Sequence, residues 1–85
     1  MTLNNNKDIR KIFSQNLKYY RKKEKLTQSE LAEMVSLTDK YISDIERGLY
    51  SPSLNTIDSI ANALRIETHL LLKFDEDHVE KSIIE

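Results

Sequence analysis

The chain has 85 residues and a mass of 10.0 kDa; 39% of its residues are hydrophobic, 32% are charged, and the formal net charge is −1. A chain of this length supports one compact core, which excludes an enzyme whose active site lies between two domains. The absence of cysteine excludes a disulfide scaffold, a thiolate nucleophile and a zinc site with cysteine ligands.

Glycine and proline each occur once, so the chain can form few tight turns at positive φ. This scarcity predicts an all-α fold. His69 and His78 are too few for most histidine metal sites, no catalytic motif is present, and we expect neither a metal nor a cofactor. The sequence has no apolar run of membrane-spanning length and no signal peptide, and we therefore expect a cytoplasmic protein.

The net charge hides a gradient along the chain. Residues 1–25 carry eight Lys or Arg against two acids, a net +6, whereas residues 26–50 carry −3 and residues 51–85 carry −4. The acidic total argues against a nucleic-acid partner. The gradient permits a polyanion on the basic side, or it reflects a solvated helix followed by an acidic tail.

Apolar residues recur every three or four positions in five segments, which predicts five short amphipathic helices. The predicted helices cover about residues 8–24, 28–35, 39–47, 54–64 and 68–73. A capping box formed by Thr27 and Glu30 marks the start of the second helix. Thr38 and Ser53 can cap the next two, and Gly48 marks the end of the third.

The predicted organisation is therefore one compact domain with two extensions. The five-helix domain spans residues 8–73, and a disordered polar arm precedes it at residues 1–7. An acidic tail follows at residues 74–85, whose few apolar residues could form a small helical face.

Residues 28–47 form two short helices joined by a tight turn. Leu31, Ala32, Val35, Ile42 and Ile45 would lock them together, and the small Ala32 would let the helices cross closely. This pattern is typical of a helix-turn-helix, in which the second helix enters the DNA major groove. Adjacent short helices also occur in domains that bind no DNA.

Several blocks of sequence closely resemble the Cro/C1-type helix-turn-helix family, which includes phage repressors and restriction–modification controller proteins. The blocks are LTQSELA at residues 26–32, YISDIERG at 41–48 and SPSLNT at 51–56, followed by Ile60, Ala61 and Leu64. The resemblance covers about residues 9–72 and implies a compact five-helix, lambda-repressor-like domain that binds double-stranded DNA.

The resemblance also implies roles for individual residues. The DNA-binding set would be Thr27, Gln28, Thr38, Asp39, Lys40, Tyr41, Ser43, Asp44 and Arg47. Arg21 would form a structural salt bridge with Glu46. Gln28 would bond a phosphate and brace the recognition helix, or it simply begins a well-capped helix.

Three further assignments have alternatives. Arg47 would contact a phosphate or favour the negative end of its helix, and Asp39 would accept from a base or favour the positive end. Tyr41 would donate to a phosphate or pack against Leu49. Asp39 and Asp44 would be repelled by phosphates and need a base donor or a basic neighbour.

The chain departs from the family at three helix ends where many members have glycine. Lys25, Ser36 and Arg65 occupy those positions. Either these turns are built differently here, or the chain carries strain on the order of 1 kcal/mol.

Helix-turn-helix proteins usually bind DNA as two-fold dimers. Leucines at three consecutive positions, Leu70 to Leu72, cannot all face one small core, so residues 70–74 are the predicted dimer surface. The predicted interface comprises Leu70, Leu71, Phe74, Val79 and Ile83. The alternative is that Leu71 and Leu72 belong to the core.

The sequence thus predicts a dimeric, sequence-specific transcriptional regulator, a repressor or restriction–modification controller, with no small-molecule effector. The alternative is a helical protein-interaction or antitoxin-like module with weak or no DNA binding. The acidic total charge and the two aspartates of the third helix favour that alternative.

Overall fold

The computed structural model describes residues 8–79, and every regular element of that part is a helix. The four α-helices are α1 (Ile9–Lys23), α2 (Gln28–Met34), α3 (Asp39–Glu46) and α4 (Leu54–Leu64). Two 3-10 helices follow, Thr68–Leu71 and Glu76–His78. The all-α prediction is confirmed, but the fifth α-helix predicted at residues 68–73 is wrong, because only a short 3-10 helix forms there.

Each α-helix begins at a residue whose side chain caps the first turn. The four caps are Asp8, Thr27, Thr38 and Ser53. Thr27 also completes the predicted capping box, since its N–H donates to Glu30 Oε1 over 2.8 Å and its Oγ1 accepts from the Glu30 N–H over 3.0 Å. These side chains satisfy backbone donors that a helix start leaves without an intrahelical partner.

All four α-helices end in the same hydrogen-bonded turn, the Schellman motif. At the end of α3, the N–H of Gly48 donates to the carbonyl of Ile45 over 3.1 Å and that of Leu49 to Asp44 over 3.0 Å. Gly48 has a φ of 77°. The other three turns have the same pattern around left-handed residues without glycine, Lys25 (φ 60°), Ser36 (φ 59°) and Arg65 (φ 62°).

The residue after each left-handed position is apolar. Leu26, Leu37 and Ile66 pack against the core, whereas Leu49 is exposed. Apolar contact at this position commonly accompanies the Schellman motif. The three turns are therefore not built differently from glycine-containing ones. Lys25, Ser36 and Arg65 adopt the left-handed conformation themselves and carry its strain.

The core lies where α1, α2, α3 and α4 converge. It consists of Phe13, Leu17, Leu31, Ala32, Ile42, Ile45, Ile57, Ile60, Ala61, Leu64 and Leu71. Ala32 is 2% exposed, which agrees with its predicted role in letting α2 and α3 approach closely. Burial of this apolar surface is the main force that holds α3 in place.

The segment after α4 is anchored on α1 by one buried amide. Asn16, only 1% exposed, donates through Nδ2 to the carbonyls of Leu71 (2.8 Å) and Lys73 (2.9 Å). These bonds place a side chain where a continuing α-helix would form its own hydrogen bonds. They give a physical reason why the predicted fifth α-helix is a single 3-10 turn.

The second 3-10 helix extends this anchor into the predicted tail. The Asn16 amide nitrogen already donates twice, so its oxygen accepts from His78 Nδ1 over 2.7 Å. The His78 ring stacks on Tyr19 with centroids 3.8 Å apart and meets Tyr20 edge-on. Burial, the Asp75 carboxylate and Tyr19 raise the pKa of Tyr20. The tail therefore belongs to the packed domain at least as far as Val79.

Candidate nucleic-acid interface

The side chains predicted to touch DNA fall into three groups by exposure. Thr27, Thr38, Asp39, Lys40 and Arg47 are exposed. Gln28, Tyr41 and Ser43 are half-buried, and Asp44 is buried. The outward face of α3 therefore presents two cations, one carboxylate and one hydroxyl.

Asp44 does not point outward as the helical spacing predicted. It is 5% exposed, and its carboxylate lies 3.1 Å from Lys40 Nζ and 3.5 Å from Arg47 Nη1. The Asp44 backbone carbonyl takes part in the turn that ends α3, since it accepts from the Leu49 N–H. The basic neighbours that Asp44 needs are thus residues of its own helix.

Asp39, at the first position of α3, is bonded to the preceding helix. Ser29 Oγ donates to Asp39 Oδ2 over 3.0 Å. The carboxylate also lies at the positive end of the α3 dipole, which favours it. One carboxylate oxygen of Asp39 is therefore hydrogen-bonded within the helix-turn-helix.

A buried ionic network connects α1, α2 and α3. Arg21 Nε and Nη2 donate to the two carboxylate oxygens of Glu46, over 2.5 and 2.9 Å, so the salt bridge implied by the resemblance is present and bidentate. Gln28 Nε2 donates to Glu46 Oε1 over 3.0 Å. Arg21 also donates to the Leu26 carbonyl over 2.8 Å. The network fixes the angle of α3 against the two helices behind it.

The ring of Tyr41 packs against an aromatic neighbour. It stacks nearly parallel to Tyr50, with centroids 6.2 Å apart. Of the two predicted roles of Tyr41, packing is the one for which the structure supplies a partner, although that partner is Tyr50 and not Leu49. Tyr50 and Ser29 could not be identified from the sequence, since neither belongs to a helical stripe. Only their closeness to α3, along the chain or in space, marks them.

The predicted dimer residues are not all on the surface. Leu71 is fully buried in the core, so its assignment to a dimer surface is wrong. Burial of its apolar side chain and the hydrogen bond from Asn16 to its carbonyl hold Leu71 in the core. Phe74 is 40% exposed, Leu70 and Val79 are half-buried, and Ile83 lies outside the described residues.

Among residues 8–79, no group of three or more His, Asp or Glu side chains is placed to hold a metal ion. No helix in that part of the chain has the length and apolarity needed to cross a membrane.

The chain matches the model of a protein family described as helix-turn-helix over residues 17–71. These residues include the ionic network, α2 and α3. The chain belongs to the Cro/C1-type helix-turn-helix family. Its all-α fold and its predicted membership are thereby confirmed.

Curated relatives include phage and restriction–modification proteins. The immunity repressor protein of Bacillus phage phi105 is 45% identical over 58 residues, which are 68% of this chain and 40% of the repressor. The control protein C.BamHI of Bacillus amyloliquefaciens is 40% identical over 68 residues, 79% of this chain and 84% of that protein. The chain thus spans less than half of the phage repressor but most of the control protein.

A solved structure with the same fold has a nucleic acid bound. The P22 c2 repressor, determined in complex with a synthetic operator, superposes with a TM-score of 0.69 at 30% identity. The superposition covers 74% of this chain and 96% of the repressor.

Proposed function

We propose that this protein is a transcriptional regulator that binds a short, roughly palindromic operator in double-stranded DNA as a dimer. It would act in the cytoplasm, without a small-molecule effector, as a repressor or as the controller of a restriction–modification operon. The names of the phi105 immunity repressor and of C.BamHI support these two subtypes.

The outward face of α3 is the observation that carries the proposal. Lys40 and Arg47 are exposed there, with side-chain exposures of 81% and 65%, and the buried bridge between Arg21 and Glu46 holds their helix rigidly. Lysine donates to the acceptors of the guanine major-groove edge, and arginine at a helix end suits a phosphate. A rigid helix with such a face fits the major groove.

The rival function, a protein-interaction module, loses part of its support. The two α3 carboxylates favoured it, but Asp44 is buried beside the cations of Lys40 and Arg47. Asp39 remains exposed, and its described side-chain partner is the neutral hydroxyl of Ser29, so only Asp44 is shielded from a phosphate.

Selection of bound sequences from random DNA tests the proposal and supplies the operator. We expect binding to the selected duplex to weaken steeply as salt rises, because each neutralised phosphate releases counterions. Equal affinity for a scrambled duplex, or no binding at low salt, would contradict the proposal.

Two variants then separate base reading from phosphate contact. Lys40→Ala should relax the base preference, with a loss of about 1–3 kcal/mol on the selected duplex only. Arg47→Ala should weaken binding to selected and scrambled duplexes alike. Lys73→Ala, an exposed lysine outside α3, is the matched control. If neither α3 variant differs from this control, α3 is not the recognition helix.

A further inference from the structure

A basic groove lies beside α1, outside the proposed major-groove face. It is open to solvent and has a volume of about 830 Å³. One wall is the side of α1; the other is formed by the end of α3 and by the second 3-10 helix with Val79. Its cations are Lys11, Lys18, Lys22, Lys23 and Arg47.

The groove is positive in balance. Its carboxylates are Asp8, Asp77 and Glu46, and Glu46 is buried and paired with Arg21. Asp8 caps α1 and lies 3.6 Å from Arg10. Arg47 lies 3.5 Å from the Asp44 carboxylate. The remaining four cations, all lysines, face two carboxylates outside the buried bridge, Asp8 and Asp77.

The shape of the cationic wall suits an extended polyanion. Lys11, Gln15, Lys18 and Lys22 follow one another at four-, three- and four-residue intervals, which places them along one stripe of a helix. The stripe is about 16 Å long at 1.5 Å per residue. Each strand of DNA carries a charge about every 3.4 Å along the axis, so the stripe matches several phosphates.

The groove is also continuous with the face that reads DNA in the proposed function. Arg47 belongs to both, since it lies on the outward face of α3 and lines the groove. The other wall is held firmly, because His78 is bonded to the buried Asn16 and stacked on Tyr19. A duplex seated on α3 therefore passes next to a preformed, basic surface.

We propose that this α1 groove binds the sugar-phosphate backbone of the same duplex, beside the half-site that α3 reads. This inference rests on the proposed DNA-binding function, and the groove enlarges the contact area between protein and DNA. The groove adds affinity without adding sequence preference, because phosphate contacts carry no direct base information.

The test compares Lys11→Ala/Lys18→Ala with the control Lys73→Ala on two duplexes. The probes are the selected duplex, extended by one helical turn at each end, and a scrambled duplex of the same composition. The double variant should bind both duplexes about tenfold more weakly, and the slope of log affinity against log salt should fall by about one per lysine. Lys73→Ala should match the wild-type protein on both.

Hydroxyl-radical footprinting locates the contact. The wild-type protein should protect backbone sugars beyond the half-site, and the double variant should lose that protection while keeping protection within the half-site. If the double variant binds and protects like Lys73→Ala, the groove does not hold DNA; an acidic protein segment as its occupant would give that result.

Failure of the groove and failure of the proposed function give different results. A wild-type protein that does not distinguish the selected duplex from the scrambled one contradicts sequence-specific regulation, whatever the double variant does. A discriminating wild-type protein with an unaffected double variant contradicts only the groove.

Discussion

Lys25, Ser36 and Arg65 each hold a left-handed backbone conformation that glycine adopts at little cost. A β-carbon at such a φ is disfavoured by about 1–2 kcal/mol. The hydrogen bonds of the Schellman turns and the apolar residue that follows each one hold these positions in place.

Replacing one of these residues by glycine should stabilise the domain. We expect Lys25→Gly, Ser36→Gly and Arg65→Gly each to raise the free energy of unfolding by about 1 kcal/mol, because the relieved strain exceeds the added entropy of the unfolded chain. Urea titration followed by circular dichroism measures the effect.

Ser59→Gly is the matched control, since Ser59 is exposed within α4 at ordinary helical geometry. It should lower stability by about 0.5–1 kcal/mol. A loss of stability from Ser36→Gly equal to that of Ser59→Gly would show that the turn carries no strain.

The bridge between Arg21 and Glu46 should show strong coupling in a double-mutant cycle. Glu46→Leu leaves Arg21, 8% exposed, without its charge partner and should cost about 3–5 kcal/mol. Arg21→Met combined with Glu46→Leu should cost much less, because no charge is left buried alone. Urea midpoints at constant m-value give the cycle. Additive single-variant costs would indicate a pair screened by solvent.

The backbone conformation of single residues at helix ends could be predicted from the neighbouring sequence. The role of Gly48 and the three missing glycines could be identified because a helix end imposes its geometry on one residue. The surroundings of Asp44 could not be predicted, because helical spacing gives a direction but not which neighbouring cations pair with the carboxylate, here Lys40 and Arg47.

At the scale of elements, Asn16 determines the structure of everything after α4. It is the only described side chain that bonds Leu71, Lys73 and His78 together. Asn16→Ala should lower the free energy of unfolding by about 2–4 kcal/mol, since it leaves the buried Leu71 carbonyl and the part-buried Lys73 carbonyl without the Asn16 donor. The exposed Asn62 in α4 supplies the control Asn62→Ala, expected within about 0.5 kcal/mol of wild type.

Amide hydrogen exchange shows where the effect lies. In Asn16→Ala the amides of Leu72 and His78, which close the two 3-10 turns, should exchange much faster. The amides of α3 should exchange faster only by the amount that the loss of global stability accounts for. Uniformly faster exchange would mean that the tail is not a separate unit.

The four α-helices could be predicted from the sequence, whereas the C-terminal elements could not. Caps and apolar spacing are local signals, and they placed α2, α3 and α4 at their first residues. The 3-10 turns depend on Asn16, 55 residues before Leu71, and no local pattern marks such a contact.

At the scale of the whole molecule, the proposed dimerisation is the property that would decide operator affinity. Phe74 is the exposed apolar residue of the proposed dimer surface, and Leu54, at 77% exposure, lies at the start of α4. If the surface includes Phe74, Phe74→Asp should shift the protein to monomer in sedimentation and weaken operator binding at least tenfold, because the second half-site no longer benefits from effective concentration.

Leu54→Asp is the matched control for that experiment and should leave both properties unchanged. The opposite pattern, with Leu54→Asp producing monomers, would move the interface to the α3–α4 region, where Leu49 and Tyr50 are also exposed.

The position of Asp44 between Lys40 and Arg47 changes how α3 should respond to salt. The three side chains bring one net positive charge to a duplex, not two. These three side chains should therefore contribute about 0.9 per bound protomer, and not about 1.8, to the salt slope of binding. Asp44 acts as an intramolecular counterion, whose local concentration does not change with the salt in solution. Lys40 therefore pairs with Asp44 wherever the DNA bases provide no better acceptor.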